Sequence, residues 1–534
     1  MNHSEPRPSR RPDLWRLGLV LLLAAGIRTW MVANTTVPSR DCIVFVRYAL
    51  RLEQPPDGVG PIGVIRTEEH PPGYPVAILL ISHLVGRPSD PQSLVEAMAL
   101  SAQLVSAISG VLLALPFYFM TRRVFDRNTA FAAAALYVIL PVYVEVTSDG
   151  ISDGLFLLTA VAALWFAVRA LDADGSRCAA VYGAGAGVCC GLGYLTRPDG
   201  LIVAAAIGLT FAGVVFRRAR RGPWRIPFAA GITLTAALAV IAGPYMALIG
   251  GLTNKPAGKG LSETLQGGTP NEAYFDRRNS LRPVNLPLAA WWDPVVSGDE
   301  SKPVWAARSL FKEYLKAAHY VVPVFGLIGL VALRQRLMDA RVALVVVFAG
   351  VHAAVLFLLA WKIGYVSQRH ALPEVLVTCV FAAASFPVLG ARGARWSRRG
   401  TPWRWGSTWA VILIAAALPR DFRSLHSERA GHKLAGRWLA DYGEAYEVVD
   451  PFGWADWYAG HTLRKVPNPD PTKGPFVYAV FEPNSPSPHS RLEWYEVARK
   501  LKDQPGSERV FQYPKDAPPD LVKVAVYKCP PLTR

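Results

Sequence analysis

The sequence predicts a polytopic α-helical membrane protein with a small α/β domain at its C-terminal end. Three observations predict it. The 534 residues are 51% hydrophobic and only 18% charged, with a mean hydropathy of +0.23, and the apolar excess is gathered into long runs. Arginine clusters recur between alternate runs. From residue 419 onward the long runs give way to short alternating segments.

A helix needs about 18 or more apolar residues to cross a hydrocarbon core of roughly 30 Å. About eleven runs reach that length: 14–34, 95–120, 128–146, 154–171, 178–196, 200–216, 226–250, 317–333, 341–361, 371–390 and 403–418. The stretch "PPGYPVAILLISHLVG" (71–86) is apolar but short and Pro-interrupted, so it reads as a re-entrant or interfacial segment.

The net charge of +17 raises the question of nucleic acid, and the placement of the charge answers it. Basic clusters stand at Arg7, Arg10 and Arg11, at Arg122, Arg123 and Arg127, at Arg169 and Arg177, at Arg217, Arg218, Arg220 and Arg221, at Arg334, Arg336 and Arg341, and at Arg392, Arg395, Arg398 and Arg399. Short loops rich in Lys and Arg stay cytoplasmic. With eleven spans all of them fall on one side, which puts the N-terminus inside and the C-terminus outside. The basic excess therefore reads as topology, with the lipid bilayer as the partner and no nucleic acid. If the first run were a cleaved signal sequence, the loop after it would keep the same side. No phosphate-binding loop, dinucleotide fingerprint or HExxH motif occurs, and the six cysteines follow no metal spacing. Cys42 and Cys529 fall on the same side, but spacing alone establishes no disulfide.

This gives a transmembrane domain over 1–418 and an extracytoplasmic domain over 419–534. Within the first, the outer loops 35–94 and 251–316 are too long for plain connectors. In the tail, "AYEVVD", "PFVYAVFEP", "ERVFQYP" and "LVKVAVYKC" read as strands, and "HSERAGHKLAGRWLADYG" and "SRLEWYEVARKL" as helices. It carries no catalytic motif and reads as a lid or scaffold.

The suggestive polar residues collect on the outer side. "SRDCIVFVRYAL" places Asp41 just after the first span, ahead of Phe45, Tyr48 and Leu52 at helical spacing. "RTEEHPPGYP" supplies Glu68, Glu69 and His70, and "EVTSDGISDGLF" supplies Glu145, Asp149 and Asp153. "LTRPDG" supplies Arg197 and Asp199, and "WKIGYVSQRHALP" supplies Lys362, Tyr365, Arg369 and His370. Ionisable groups near membrane depth are functional candidates, although any one of them could simply mark a solvated turn. Carboxylates from one set of loops and cations from another suit an anionic phosphate donor, held by Arg and Lys, and an acceptor deprotonated by a carboxylate.

The order of these elements resembles the GT-C-type membrane glycosyltransferases that use polyprenyl-phosphate sugars. That group includes the protein O-mannosyltransferases (glycosyltransferase family 39) and the aminoarabinose transferases. The match covers roughly residues 14–420 and is sharpest at "SRDCIVFVRYA", "HPPGYP", "ISDGLF", "GLGYLTRPDGLI" and "YVSQRHALP". The resemblance implies a GT-C-like fold. It implies a hexosyl- or pentosyltransferase acting on a hydroxyl of a lipid, glycan or protein acceptor, by an inverting single displacement.

Carried over residue by residue, the resemblance makes Asp41 the catalytic carboxylate and matches Asp153 to the acid opening the fourth span. It makes Arg369 the arginine on the lipid phosphate; beside it, by charge alone, Arg197 or Lys362 is expected to bind the developing phosphate charge. Glu68, Glu69, His70, Asp149, His370 and Tyr365 complete the candidate site. Three positions depart from the pattern. His70 stands where some members have Lys, His370 where Tyr is usual, and Cys42 where many relatives have a second acid, so Glu68 or Glu69 would supply that carboxylate. No compact cluster of oxygen ligands supports a divalent metal, and no cofactor is expected. The implied setting is a bacterial inner membrane with the site facing the periplasm. The competing reading is a transporter or lipid flippase, which would place its charges near the bilayer midplane and show internal repeats.

Overall fold

The computed structural model describes residues 11–219, 222–255, 302–363, 366–397, 402–442, 447–461, 470–472, 474–484 and 494–532. The chain enters through α1 (Arg11–Ala33) and turns at Ser39, whose Oγ accepts the Cys42 N–H at 3.2 Å and caps α2 (Arg40–Glu53). Helix α2 buries Cys42, Ile43, Phe45, Val46, Tyr48, Ala49 and Leu52, an apolar stripe with the helical period that "CIVFVRYAL" announces. Helices α3 (Gly60–Thr67) and α4 (Gly73–Val85) complete the first loop. The 13 residues of α4 are too few to span.

Helix α5 (Pro91–Val124) is followed by α6 (Arg127–Ile139) and the short α7 (Pro141–Val146). Proline lacks an N–H and pushes the preceding residue out of the helical region, and Leu140 is accordingly extended (φ −68°, ψ 121°). The run expected to span over 128–146 is thus two pieces. Both are tied to α1 by Arg28, which is wholly buried. Its Nε donates to Thr147 Oγ1 at 2.8 Å and its Nη2 to Tyr137 Oη at 3.2 Å.

Four long helices follow: α8 (Asp153–Leu171), α9 (Ser176–Thr196), α10 (Gly200–Arg218) and α11 (Arg225–Ile249). A seam of glycines joins α9 to α11. A Cβ at Gly183 or Gly187 would come within 2.3 Å of the Ala230 or Leu234 carbonyl oxygen, and one at Gly191 within 2.6 Å of Ile241. Small residues four apart let two backbones touch in this way.

Beyond residue 301, α12 (Lys302–Ala317) and α13 (Val322–Ala332) meet at a bend of 101°. His319 (φ 56°) and Tyr320 (φ 55°) make that turn in the left-handed region. Helices α14 (Ala340–Ile363), α15 (Leu372–Ser397) and α16 (Pro402–Asp421) close the bundle. Among the described residues eight helices are long and apolar enough to cross a membrane, or nine if the bent pair counts as one span. The expected eleven is therefore not reached. The 128–146 run is broken at Pro141, and the helix holding 403–418 is not among the eight.

The C-terminal part holds α17 (Ala430–Asp441), β1 (Glu447–Val449), α18 (Trp454–Tyr458), β2 (Val477–Phe481), α19 (Tyr495–Lys502), β3 (Glu508–Tyr513) and β4 (Val524–Cys529). Every strand and helix expected in the tail is present. The sheet order is β1-β2-β4-β3, with β1 parallel to β2 and the other pairs antiparallel. This part shares one hydrophobic cluster with the first loop and α5: Ala435, Leu439, Trp457 and Tyr478 cluster with Phe45, Val46, Tyr74 and Ala102. Cys42 and Cys529 are both buried free thiols, so no disulfide joins the tail to the loop.

Candidate active site

One end of the bundle gathers ionisable groups from six distant segments. Asp41 sits in the first turn of α2, where the positive helix terminus favours a carboxylate. Its Oδ2 pairs with Nη1 of Arg369, 328 positions away in sequence. Arg369 lies in the single 3-10 turn Gln368–Ala371 ahead of α15. That turn is fixed by the Ser367 N–H, which donates to His370 Nδ1 at 3.1 Å.

Asp153 opens α8, and its Oδ1 accepts from Arg197 Nη1 at 2.7 Å. The tight turn between α9 and α10 brings Asp199 to the other edge of the same guanidinium, where Oδ2 accepts from Nε at 2.9 Å. A narrow pocket opens beside these groups, lined by Asp153, Arg197, Asp199, Arg369, His370 and His352 together with apolar side chains such as Phe156 and Leu356. His352, in α14, has its Nδ1 2.7 Å from Glu374 Oε1 of α15. Lys255 follows α11, on a segment tied to the first loop by Asn254, whose Nδ2 donates to the Arg66 and Glu68 carbonyls at 2.9 and 3.1 Å.

The electrostatics distinguish these groups. Burial pushes the Asp41 carboxyl up, but the charge and hydrogen bond of Arg369 outweigh it and hold the group below the usual range. Asp41 is thus ionised and paired. Burial also pushes Asp199 up, and the adjoining Arg197 more than reverses it. Burial opposes the charge of Arg197, while Asp153 and Asp199 reinforce it. Burial and the nearby charge of Lys255 bring His70 down to about 3, so it is a neutral ring at neutral pH, packed 4.8 Å from Phe45. Burial, then Arg197, brings Lys255 down to about 8.

Several sequence candidates stand elsewhere. Glu68 pairs with Arg51, and Glu69 is exposed. The Lys362 ammonium lies over its neighbour Trp361, 4.5 Å from the ring centroid. Asp149 pairs with His426 at 3.0 Å and is absent from the cavity lining. Tyr365 lies outside the described residues. Lys255, His352, Glu374 and His426 escaped the sequence reading. A lone histidine within "VVVFAGVHAAVLFLLA" was the available signal for His352. Among the described residues no group of three or more His, Cys, Asp or Glu side chains is placed to hold a metal ion.

The model of the dolichyl-phosphate-mannose-protein mannosyltransferase family matches residues 69–246. ArnT from Cupriavidus metallidurans in its apo state superposes with a TM-score of 0.54 at 14% identity, over 95% of this chain and 98% of that one. The chain has a GT-C-type fold. The same GT-C architecture underlies the similarity to ArnT bound to undecaprenyl phosphate, with a TM-score of 0.52 at 13% identity. It also underlies the similarity to the apo Archaeoglobus fulgidus oligosaccharyltransferase, with a TM-score of 0.54 at 16% identity over 85% of this chain. The chain spans 65% of the length of that archaeal protein. No curated protein matches the chain in sequence. These likenesses bear out the expected GT-C resemblance and the multi-pass helical fold.

Proposed function

We propose that this protein moves a sugar from a polyprenyl-phosphate donor to a hydroxyl acceptor, by single displacement with inversion, at the end of the bundle where Asp41 and Arg369 meet. The observation that carries this reading is that ion pair, whose Arg369 lines the pocket shared with Asp153, Arg197 and Asp199. It joins the two residue types the chemistry needs, a base for the acceptor and a cation for the leaving phosphate.

The charge balance gives the pair its meaning. The donor is a phosphodiester with one negative charge, and Asp41 carries another. As the acceptor oxygen attacks the anomeric carbon, its proton passes to Asp41 and the sugar–phosphate C–O bond breaks. The negative charge that leaves Asp41 reappears on the released polyprenyl phosphate. Arg369, already beside Asp41, hands its hydrogen bonds from carboxylate to phosphate as the charge moves, so the site's total charge stays constant. Fixed charges in a shielded site are effective because they need no reorganisation at the moment of reaction.

Arg197 holds two carboxylates at 2.7 and 2.9 Å, so it orders Asp153 and Asp199 more than it binds phosphate. Lys255, with fewer close anions, shares the phosphate with Arg369. Asp153 and Asp199 keep acceptor lone pairs for sugar hydroxyls. The arginine-rich loops at the opposite helix ends support a cytoplasmic N-terminus and a site facing the periplasm of a bacterial inner membrane.

Mass spectrometry of envelope lipids and glycans tests the reading. Cells lacking the protein should lose one glycosylated species, the wild-type gene should restore it, and Asp41→Asn should not. An envelope unchanged by removing the protein overturns the proposal.

A further inference from the structure

We propose that Asp149 and His426 are positioning residues for Asp41, which makes the strand of chain entering the C-terminal part a component of the catalytic apparatus. This inference rests on the reading of Asp41 as the transfer carboxylate. The sequence offers Asp149 as a site acid in its own right, and the geometry points to a different job. Both of its carboxylate oxygens are occupied: Oδ1 accepts the Ser39 N–H at 2.9 Å and Oδ2 lies 3.0 Å from His426 Nε2. Its side chain is 11% exposed and does not reach the cavity.

Ser39 connects this pair to the chemistry. It is the N-cap of α2, two residues before Asp41. Its Oγ accepts the Cys42 N–H at 3.2 Å and donates to the Asp149 carbonyl at 3.3 Å. The Asp149 carboxylate therefore fixes the residue that fixes the helix start, and the helix start carries Asp41. The backbone of the next residue closes the contact. Gly150 has φ 69°, and a Cβ there would come within 2.7 Å of Cys42 Sγ.

His426 belongs to the segment that runs from α16 into α17, and that segment is stitched along the same stretch of the first loop. The Thr36 N–H donates to the Leu425 carbonyl at 3.0 Å, and the Ser424 hydroxyl donates to the Asn34 carbonyl at 2.6 Å. Further on, Trp454 Nε1–H donates to the Pro38 carbonyl at 2.9 Å, and Asp456 pairs with Arg47 of α2 at 3.0 Å. Residues 424–426 and 454–456 thus hold the approach to α2, its cap and its middle. Such support matters because a misplacement of about 1 Å originating far from the chemistry can cost about a hundredfold in rate.

The test compares variants of the full-length protein. Product formation in membranes is read by mass spectrometry, and affinity for undecaprenyl phosphate is read on purified protein. His426→Ala and Asp149→Ala should lower product formation about 10- to 100-fold per folded molecule. Their affinity for undecaprenyl phosphate should stay within about threefold of wild type, the signature of an orientation defect and not a binding defect. His426→Gln, whose amide can still donate to Asp149, should recover most of the rate. A merely structural role would lower the folded yield and leave the rate per folded molecule unchanged. Should Asp149→Ala fail to fold, Ser39→Ala and His426→Ala at half-buried positions carry the comparison. Wild-type product formation in His426→Ala and Ser39→Ala overturns the inference. Asp41→Asn is run beside them: its full activity sinks the underlying reading, whereas its inactivity beside fully active positioning variants sinks this inference alone.

Discussion

The two ends of the helical bundle use the same residue types to opposite effect. At one end Arg123 pairs with Asp172 at 2.9 Å and Arg341 with Asp339 at 2.8 Å, with the arginine side chains 40% and 33% exposed. At the other, Arg197 pairs with Asp153 at 2.7 Å, and the two side chains are 12% and 5% exposed. Exposed pairs of the first kind contribute about 0–1 kcal/mol. Pairs of the second kind are shielded, and removing one partner strands a buried charge. A count of charges cannot tell these ends apart. Burial of the Arg197–Asp153 pair can, whereas Arg369 and Asp41 at the same end are 31% and 41% exposed and meet across 328 positions.

The sharpest way to break this contrast is Asp41→Asn. It should lower sugar transfer by about 10²- to 10⁴-fold, the usual value of a positioned general base, with expression and membrane insertion unchanged on a quantitative blot of the membrane fraction. Second in size is Arg369→Ala, which removes a charge-assisted contact of about 1.5–3 kcal/mol. Undecaprenyl phosphate should then bind roughly 10- to 100-fold more weakly by titration, and unchanged affinity would remove Arg369 from the phosphate site.

A smaller effect is expected from pH. Lys255, held at about 8, is cationic below that value and loses its charge above it. The phosphate is already largely ionised at pH 7 because its second pKa is about 6. Affinity for undecaprenyl phosphate should therefore fall as pH rises from 7 to 9, by a few-fold, and Lys255→Gln should flatten that part of the profile. A bound phosphate should in turn push the lysine up, since an opposite charge favours its protonated form. The smallest effect belongs to the opposite end: Arg123→Ala should change stability by only about 0–1 kcal/mol and leave transfer untouched. A large loss of activity there would erase the distinction between the ends.

Much of the fold was legible because its signals are local. Long apolar runs, the period of "CIVFVRYAL" and the alternation of the tail each follow from the residues that form the element. The span count was less legible, since one proline at 141 divides a run that composition alone reads as continuous. The site divides in the same way. Asp41, Asp153, Arg197 and Arg369 were visible as polar residues at helix ends, and the structure brings all four to one end. Their partners were not visible, because pairing is decided by which helices pack together. Nothing near residue 41 announces an arginine at 369, and nothing near residue 149 announces a histidine at 426. Lys255 was passed over within a long loop rich in Gly, Pro, Asn and Trp, and His352 within an apolar run.

The glycine seam between α9 and α11 has a mechanical consequence. Both helices run toward the site end, one delivering Arg197 and the other Lys255, and carbonyl oxygens of α11 lie where side chains on α9 would otherwise stand. The two helices form a single strut, with Arg197 at the end of one and the segment carrying Lys255 leaving the end of the other. A wedge as small as a methyl group at residue 187 would splay that strut halfway along its length. The result would be an enzyme with every site residue in place and the wrong gauge between them.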